Sequence, residues 1–356
     1  MPFLALSNSG LTAESAATPL DRSVAFAIAA LAQGKFYLLF AFLFGYSFSL
    51  ILREDTRRAR ARYLRRLLGL LALGAAHAVL FFIGDILMSY AILGVALLLL
   101  VRRSARTLVI TAAVSYAVGL IVLGLVVLDA LGSGVSGAGI VLDVAGFDAA
   151  LATGDFLEVA RARAEVLPQA LVFQVAINWF PAIALFAAGL AVGRTSILAE
   201  PQRFRRLWVV LLVIAVTAGL SLGVLSARLQ VVSVDPSGVD QVLGVALGFG
   251  SAPLLTGGYL ALLALTTRTR WAQGFAPAGR MSLTGYLGES MLLAAIFCGW
   301  GLGLFGQLPI ALAALVAIAV WFALDVVAVL WLRRFRYGPF EYLLRWWSRG
   351  RRPSAA

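Results

Sequence analysis

Hydrophobic residues recur along this chain in runs of 16 to 26 residues, broken by short polar links. A hydrocarbon core roughly 30 Å thick is crossed by about 20 helical residues. The pattern therefore predicts an all-α, polytopic helical membrane protein with about nine transmembrane helices. They are expected over 36–52, 65–83, 86–101, 107–131, 168–193, 207–227, 242–266, 281–305 and 308–332. The stretch from Ser23 to Gln33 is apolar on one side but short, as in an interfacial helix leading into the first span. The chain divides into an N-terminal outer segment over 1–35, a helical bundle over 36–332 with an outer loop at 132–167, and a basic tail over 333–356. A short helix is expected in that loop, near Phe156 to Glu165.

Composition agrees: 62% of the 356 residues are hydrophobic, 13% are charged, and mean hydropathy is +0.95. A net charge of +12 could signal nucleic acid. Placement argues otherwise, because 24 of the 28 arginines fall in the links 53–66, 102–106, 194–206 and 267–280 and in the tail from 333. Arginines retained on the cytoplasmic side set orientation, so nine alternating spans of the cytoplasmic membrane put the N-terminus outside and the C-terminus in the cytoplasm. The single cysteine, Cys298, excludes an intramolecular disulfide. The first 20 residues lack the basic start and apolar centre of a cleavable signal. "MPFLALSNSG" reads instead as the exit of an upstream helix, an expectation that Met1 is not the native start.

Three soluble-enzyme patterns fail on context. "GSGVSG" from Gly132 and "GLGLFG" from Gly301 lack the strand that a dinucleotide fingerprint follows. "GLSLG" from Gly219 lies inside a span with no strand-turn-helix around it, where small residues let helices approach closely. No cysteine-histidine cluster has metal-ligand spacing, so no metal is expected.

An ionisable side chain in hydrocarbon is costly, so each one inside a span is a functional candidate. His77, the only histidine, precedes Asp85 by eight residues. On a continuous helix that is roughly 12 Å, so contact requires the chain to fold back near Gly84. His77 is then either a general base poised by the carboxylate or a ring bonded to a neighbouring helix, with Asp85 capping the next span. Lys35, the only lysine, is a compact charge with a task or a side chain snorkelling to the interface. Glu289 and Asp325 stand equally far from the hairpin tip near Gln307, as a proton-coupled pair or a neutral interhelical hydrogen bond would require. Arg280, Arg333, Arg334, Arg336 and Arg345 flank the last hairpin on the inner side, where they grip a phosphorylated donor or touch anionic lipid.

The blocks "QGKFYLLFAFLFGYSFSL" at 33–50, "RRLLGLLALGAAHAVLFFIGDILMSYAILG" at 65–94, "GRMSLTGYLGES" at 279–290 and "WLRRFRYGPFEYLLR" at 331–345 resemble the bacterial membrane family called domain of unknown function 418, typified by YeiB-type proteins. The middle of the chain, about 105–250, matches in hydropathy alone. That family is distantly similar to transmembrane acyltransferases, which pass acetyl groups from cytosolic acyl-coenzyme A to acceptors across the membrane. The resemblance implies matching positions for Lys35, His77, Asp85, Arg280, Arg336 and Glu341. It departs in two places: Glu289 stands where members commonly carry a neutral amide, and an opening span with an Asp-x-x-Arg-Gly motif is absent.

The expected function is acyl transfer. His77 and Asp85, with Lys35, form the catalytic set, and Arg280, Arg334, Arg336 and Glu341 the donor site. Acyl-coenzyme A is the donor substrate, no bound cofactor is expected, and the partners are membrane lipid and a small-molecule or glycan acceptor. The rivals are a transporter or lipid-handling protein with Glu289, Asp325 and Lys35 as coupling charges, and an accessory subunit without chemistry.

Overall fold

The computed structural model describes residues 18–53, 56–133, 144–233, 239–267 and 269–349. Among them there is no strand. The chain is an all-helical, polytopic membrane protein. Among the described residues seven helical stretches are long and apolar enough to cross a membrane: Pro19–Ile51, Arg57–Leu80, Ala105–Asp129, Phe156–Val192, Arg205–Val232, Val239–Thr266 and Ile310–Trp331. The expected spans at 86–101 and 281–305 are the shorter helices Leu87–Leu100 and Ser282–Phe297, of 14 and 16 residues. At 1.5 Å per residue they reach only about 21 and 24 Å, and these two short helices meet at the site described below.

In chain order the elements are α1 (Pro19–Ala27), α2 (Phe36–Ile51), α3 (Arg57–Leu80), α4 (Leu87–Leu100), α5 (Ala105–Ser133), α6 (Val144–Thr153), α7 (Phe156–Phe173), α8 (Trp179–Val192), α9 (Arg205–Ile214), α10 (Leu220–Ala227), α11 (Val239–Thr266), α12 (Arg270–Gly274), α13 (Ala276–Arg280), α14 (Ser282–Phe297), α15 (Ile310–Trp331) and α16 (Pro339–Arg349). Single π-helical turns extend α1 to Ala32, join α7 to α8 and α9 to α10, and extend α10 to Val232.

Outward faces are apolar. On α5, Val109, Ile121, Leu125 and Leu128 are each at least 60% exposed. Such a surface is tolerated where lipid replaces water. Inside, helices meet through small residues: a methyl on Gly45 of α2 would collide with the Phe186 carbonyl, and one on Gly189 of α8 with the Phe42 carbonyl. The two backbones therefore touch, the packing that suits a bilayer without a hydrophobic drive between helices.

Local chemistry sets two boundaries differently from the hydropathy pattern. Asp155 and Glu158 form a capping box that starts α7 at Phe156, and the helix runs on through the expected span start, Pro168, to Val192. The helix expected near Phe156 to Glu165 is thus the beginning of a span. Thr18 and Asp21 form a second capping box that starts α1 at Pro19. Asp21 Oδ1 also accepts from the Ala311 amide at 2.9 Å, in the first turn of α15. Ala25, Ala29 and Ala30 of this first helical stretch are buried in the core.

The glycine patterns fall as their contexts imply. "GLGLFG" follows α14 as a turn with positive φ at Gly303 and Gly306. "GLSLG" is helical. Residues 134–143, which hold most of "GSGVSG", lie outside the described residues.

Candidate functional site

The α3 helix stops at Leu80, where the amides of Phe81 and Phe82 both donate to the His77 carbonyl at 2.9 Å. The non-helical residues that follow turn the chain back, and His77 Nδ1 reaches Asp85 Oδ2 at 2.8 Å. Both side chains are buried, at 2% and 1% exposure. Positive φ occurs at other glycines, so the reversal does not use a left-handed Gly84. The Phe82 ring instead packs onto Gly84, leaving 2.7 Å for a side-chain methyl. Gly74, one turn before His77, clears the space that Asp85 Oδ1 fills.

Asp85 contacts the imidazole and caps the next helix at once. Its Oδ1 accepts from the Met88 amide at 2.8 Å in the first turn of α4, while Oδ2 holds the imidazole. Tyr286 of α14 adds a third bond, donating to Oδ2 at 3.2 Å and accepting from the Ile86 amide at 3.2 Å. Gln174, in the π-turn between α7 and α8, donates to the Asp85 carbonyl at 3.4 Å and accepts from Ser89 Oγ at 2.5 Å. An ionised carboxylate can only accept, so with Asp85 in that form the 2.8 Å contact assigns the imidazole proton to Nδ1. His77 Nε2 is left buried with no hydrogen-bond partner. A neutral ring then presents a free lone pair, whereas an N–H there would be a donor without an acceptor. The rings of Tyr286, Phe81 and Phe82 stand 5.2 to 6.4 Å from the imidazole.

Sequence reasoning did not single out Tyr286, Gln174 or Arg163. Arg163 of α7 is 1% exposed and donates to the Leu80 carbonyl at 2.6 Å and to Cys298 Sγ at 3.2 Å, tying the end of α3 to the end of α14. A search for charges within spans passes over neutral Tyr286 and Gln174, and Arg163 counts there as a loop residue.

The other predicted residues separate into three places. Lys35 lies in the break between α1 and α2, bonded to the Ala29 carbonyl at 2.9 Å and to neither His77 nor Asp85. Glu289 and Asp325 share a depth, since Gly288 faces Leu324 across the hairpin, but no hydrogen bond joins them. Asp325 Oδ1 is buried without a partner.

On the remaining face, Arg280 donates to the Arg336 carbonyl at 3.3 Å, and Arg336 and Arg345 both lie against the Tyr337 ring. Arg333, Arg334 and Arg336 are exposed. Glu341 is engaged as a cap: Oε1 accepts from the Leu283 and Thr284 amides at 2.7 and 3.0 Å, and Oε2 from Thr284 Oγ1 at 2.5 Å. A helix N-terminus offers free N–H groups and positive potential to such a carboxylate. Gly338 lets the backbone pass, since a methyl there would strike Glu341 Oε2. From this cap to Tyr286 is less than one turn of α14, so the arginine-lined rim and the His77 pair share one short helix. A second basic surface, a cleft of about 470 Å³, is lined by Arg57, Arg58, Arg62, Arg65 and Arg349.

YxaH of Bacillus subtilis (strain 168), an uncharacterized protein, is 31% identical to this chain over 336 residues, covering 88% of this chain and 79% of its own. The profile of the family described as "Protein of unknown function (DUF418)" matches residues 192–351. The chain belongs to the DUF418 family. YeiB of Escherichia coli (strain K12), also uncharacterized, is 29% identical over 352 residues, covering 93% of this chain and 86% of its own. No solved structure matches. Within this DUF418 protein, the profile spans Arg280, Tyr286, Arg336 and Glu341 but not His77 or Asp85.

Proposed function

We propose that this DUF418 protein is a membrane acyltransferase, moving an acyl group from a cytosolic thioester donor to a hydroxyl or amine on an envelope or lipid acceptor. The observation that carries the reading is His77 Nε2, buried and unpartnered while Asp85 fixes the opposite nitrogen. That is the arrangement a general base needs. The acceptor O–H or N–H gives its proton to Nε2 as its heteroatom bonds to the thioester carbonyl carbon. The C–S bond then breaks, and the leaving thiolate takes the proton back from the imidazolium. Asp85 holds the tautomer and offsets the transient charge, and Tyr286 holds Asp85. Arg280, Arg334 and Arg336 bind donor phosphates, while Glu341 acts by setting the start of α14. Because His77 is 2% exposed, substrates reach Nε2 when the Phe81–Phe82 segment moves.

In reconstituted vesicles supplied with acetyl-coenzyme A and lipid and glycan acceptors, His77→Gln should fold at normal levels and lose at least about 10²-fold of transfer, the scale for a lost general base. Asp85→Asn should lose less. A folded His77→Gln protein with undiminished transfer ends this reading.

The same reading places the arginine-rich rim in the cytoplasm. A cysteine replacing exposed Glu200 should resist an impermeant thiol reagent in intact cells, and one replacing Thr153 should react. The opposite pattern inverts the orientation.

A further inference from the structure

Lys35 is 0% exposed. Its ammonium has three donors and one hydrogen-bond partner, the Ala29 carbonyl. Among the described residues no carboxylate lies within ion-pair distance of it. A buried charge with no counter-charge is costly, and a single carbonyl recovers a small part of that cost.

The surrounding backbone fixes the position of Lys35 without neutralising its charge. The first helical stretch ends at Ala32, Gly34 takes φ +75°, and α2 begins at Phe36, so Lys35 stands at the positive N-terminal end of a 16-residue helix. Two bonds from α11 pin the break: Thr256 Oγ1 donates to the Lys35 carbonyl at 3.1 Å, and Tyr259 to the Leu31 carbonyl at 2.5 Å. Beside the ammonium lies a cavity of about 40 Å³, lined by Gln33, Ser226, Gln230 and Gly248 among others. A water needs about 10–15 Å³ by this measure, so the space fits a compact anion with a water. The Gln33 side-chain oxygen is buried without a partner, and its carboxamide can turn to present N–H instead.

We propose that this cavity binds a compact monoanion, a halide or the carboxylate end of a small molecule, against the Lys35 ammonium. The site is separate from the histidine pair and does not depend on the acyltransferase reading. Broken helices whose ends face a cavity serve ion and substrate binding in other membrane proteins.

The test is the thermal unfolding midpoint of the purified full chain in detergent micelles, as chloride or formate replaces gluconate at constant ionic strength. A saturable rise is expected, with the folding equilibrium constant increased about elevenfold when the anion is at ten times its Kd. A response to chloride alone assigns a halide, and a response to formate assigns a carboxylate. Lys35→Gln should abolish the rise. Gly248→Ala places a methyl 3.0 Å from Ser226 Oγ at the cavity wall while keeping the lysine, and should weaken the apparent affinity several-fold; it carries the test if Lys35→Gln does not fold. No saturable rise with either anion, or a rise undiminished in Lys35→Gln or Gly248→Ala, overturns the proposal.

Discussion

His77 and Lys35 are the only residues of their kinds in the chain, and both are buried, at 2% and 0% exposure. They are accommodated in opposite ways. His77 has a carboxylate brought to 2.8 Å by a chain reversal eight residues away, and that carboxylate is itself held by a backbone amide and a tyrosine. Lys35 has one carbonyl and a cavity. Around Asp85 the first arrangement is closed, since removing the carboxylate leaves donors stranded, and only His77 Nε2 is left without a partner. The second is open on one side, as a ligand site is. Burial alone does not separate these two arrangements, whereas the count of satisfied donors does.

The largest effect should come from Asp85→Leu. It strands three donors at once, the His77 Nδ1–H, the Met88 amide and the Tyr286 hydroxyl. Losing one member of a buried pair typically costs about 3–5 kcal/mol. Equilibrium unfolding in mixed micelles should show at least that, and a loss below about 1 kcal/mol would mean the hairpin between α3 and α4 does not depend on its carboxylate.

Much of this site was legible from residues 75–94. The lone histidine, the glycine and the aspartate made a reversal the condition for contact, because eight helical residues span roughly 12 Å, but they permitted that reversal without demanding it. Tyr286 was not legible, since 201 residues separate it from Asp85 and a neutral hydroxyl leaves no mark in a hydropathy profile. The depth of Glu289 and Asp325 followed from counting to the hairpin tip. Their lack of a mutual bond did not, because register fixes height along the axis but not rotation about it. Span positions were readable, while the starts of α1 and α7 were set by capping boxes that hydropathy does not weigh. The seclusion of Lys35 depended on Thr256 and Tyr259, more than 200 residues away.

A middle-sized effect is expected from Tyr286→Phe. The ring stays, but Asp85 loses one of three donors and the Ile86 amide loses its acceptor. A hydrogen bond removed in a buried setting costs about 1–3 kcal/mol when a partner is left unsatisfied. The same unfolding measurement should place this variant between wild type and Asp85→Leu. If it matches wild type, the tyrosine packs against the imidazole without supporting the carboxylate.

The smallest effect should come from Lys35→Met, measured in gluconate so that neither chloride nor formate is present. Methionine fills a similar volume, and replacing a buried charge by an apolar side chain removes its desolvation cost together with its interactions. Only the Ala29 carbonyl loses a partner, at a cost of about 1 kcal/mol. The two terms oppose, so the variant should lose no more than about 1 kcal/mol in gluconate. Methionine cannot recruit an anion, so the variant should also fall below wild type once chloride or formate is added, reversing any advantage it holds in gluconate. A loss of about 3 kcal/mol or more in gluconate would show that the ammonium holds the break between α1 and α2 as firmly as Asp85 holds its hairpin. The contrast between a closed and an open buried charge would then fail at its open end.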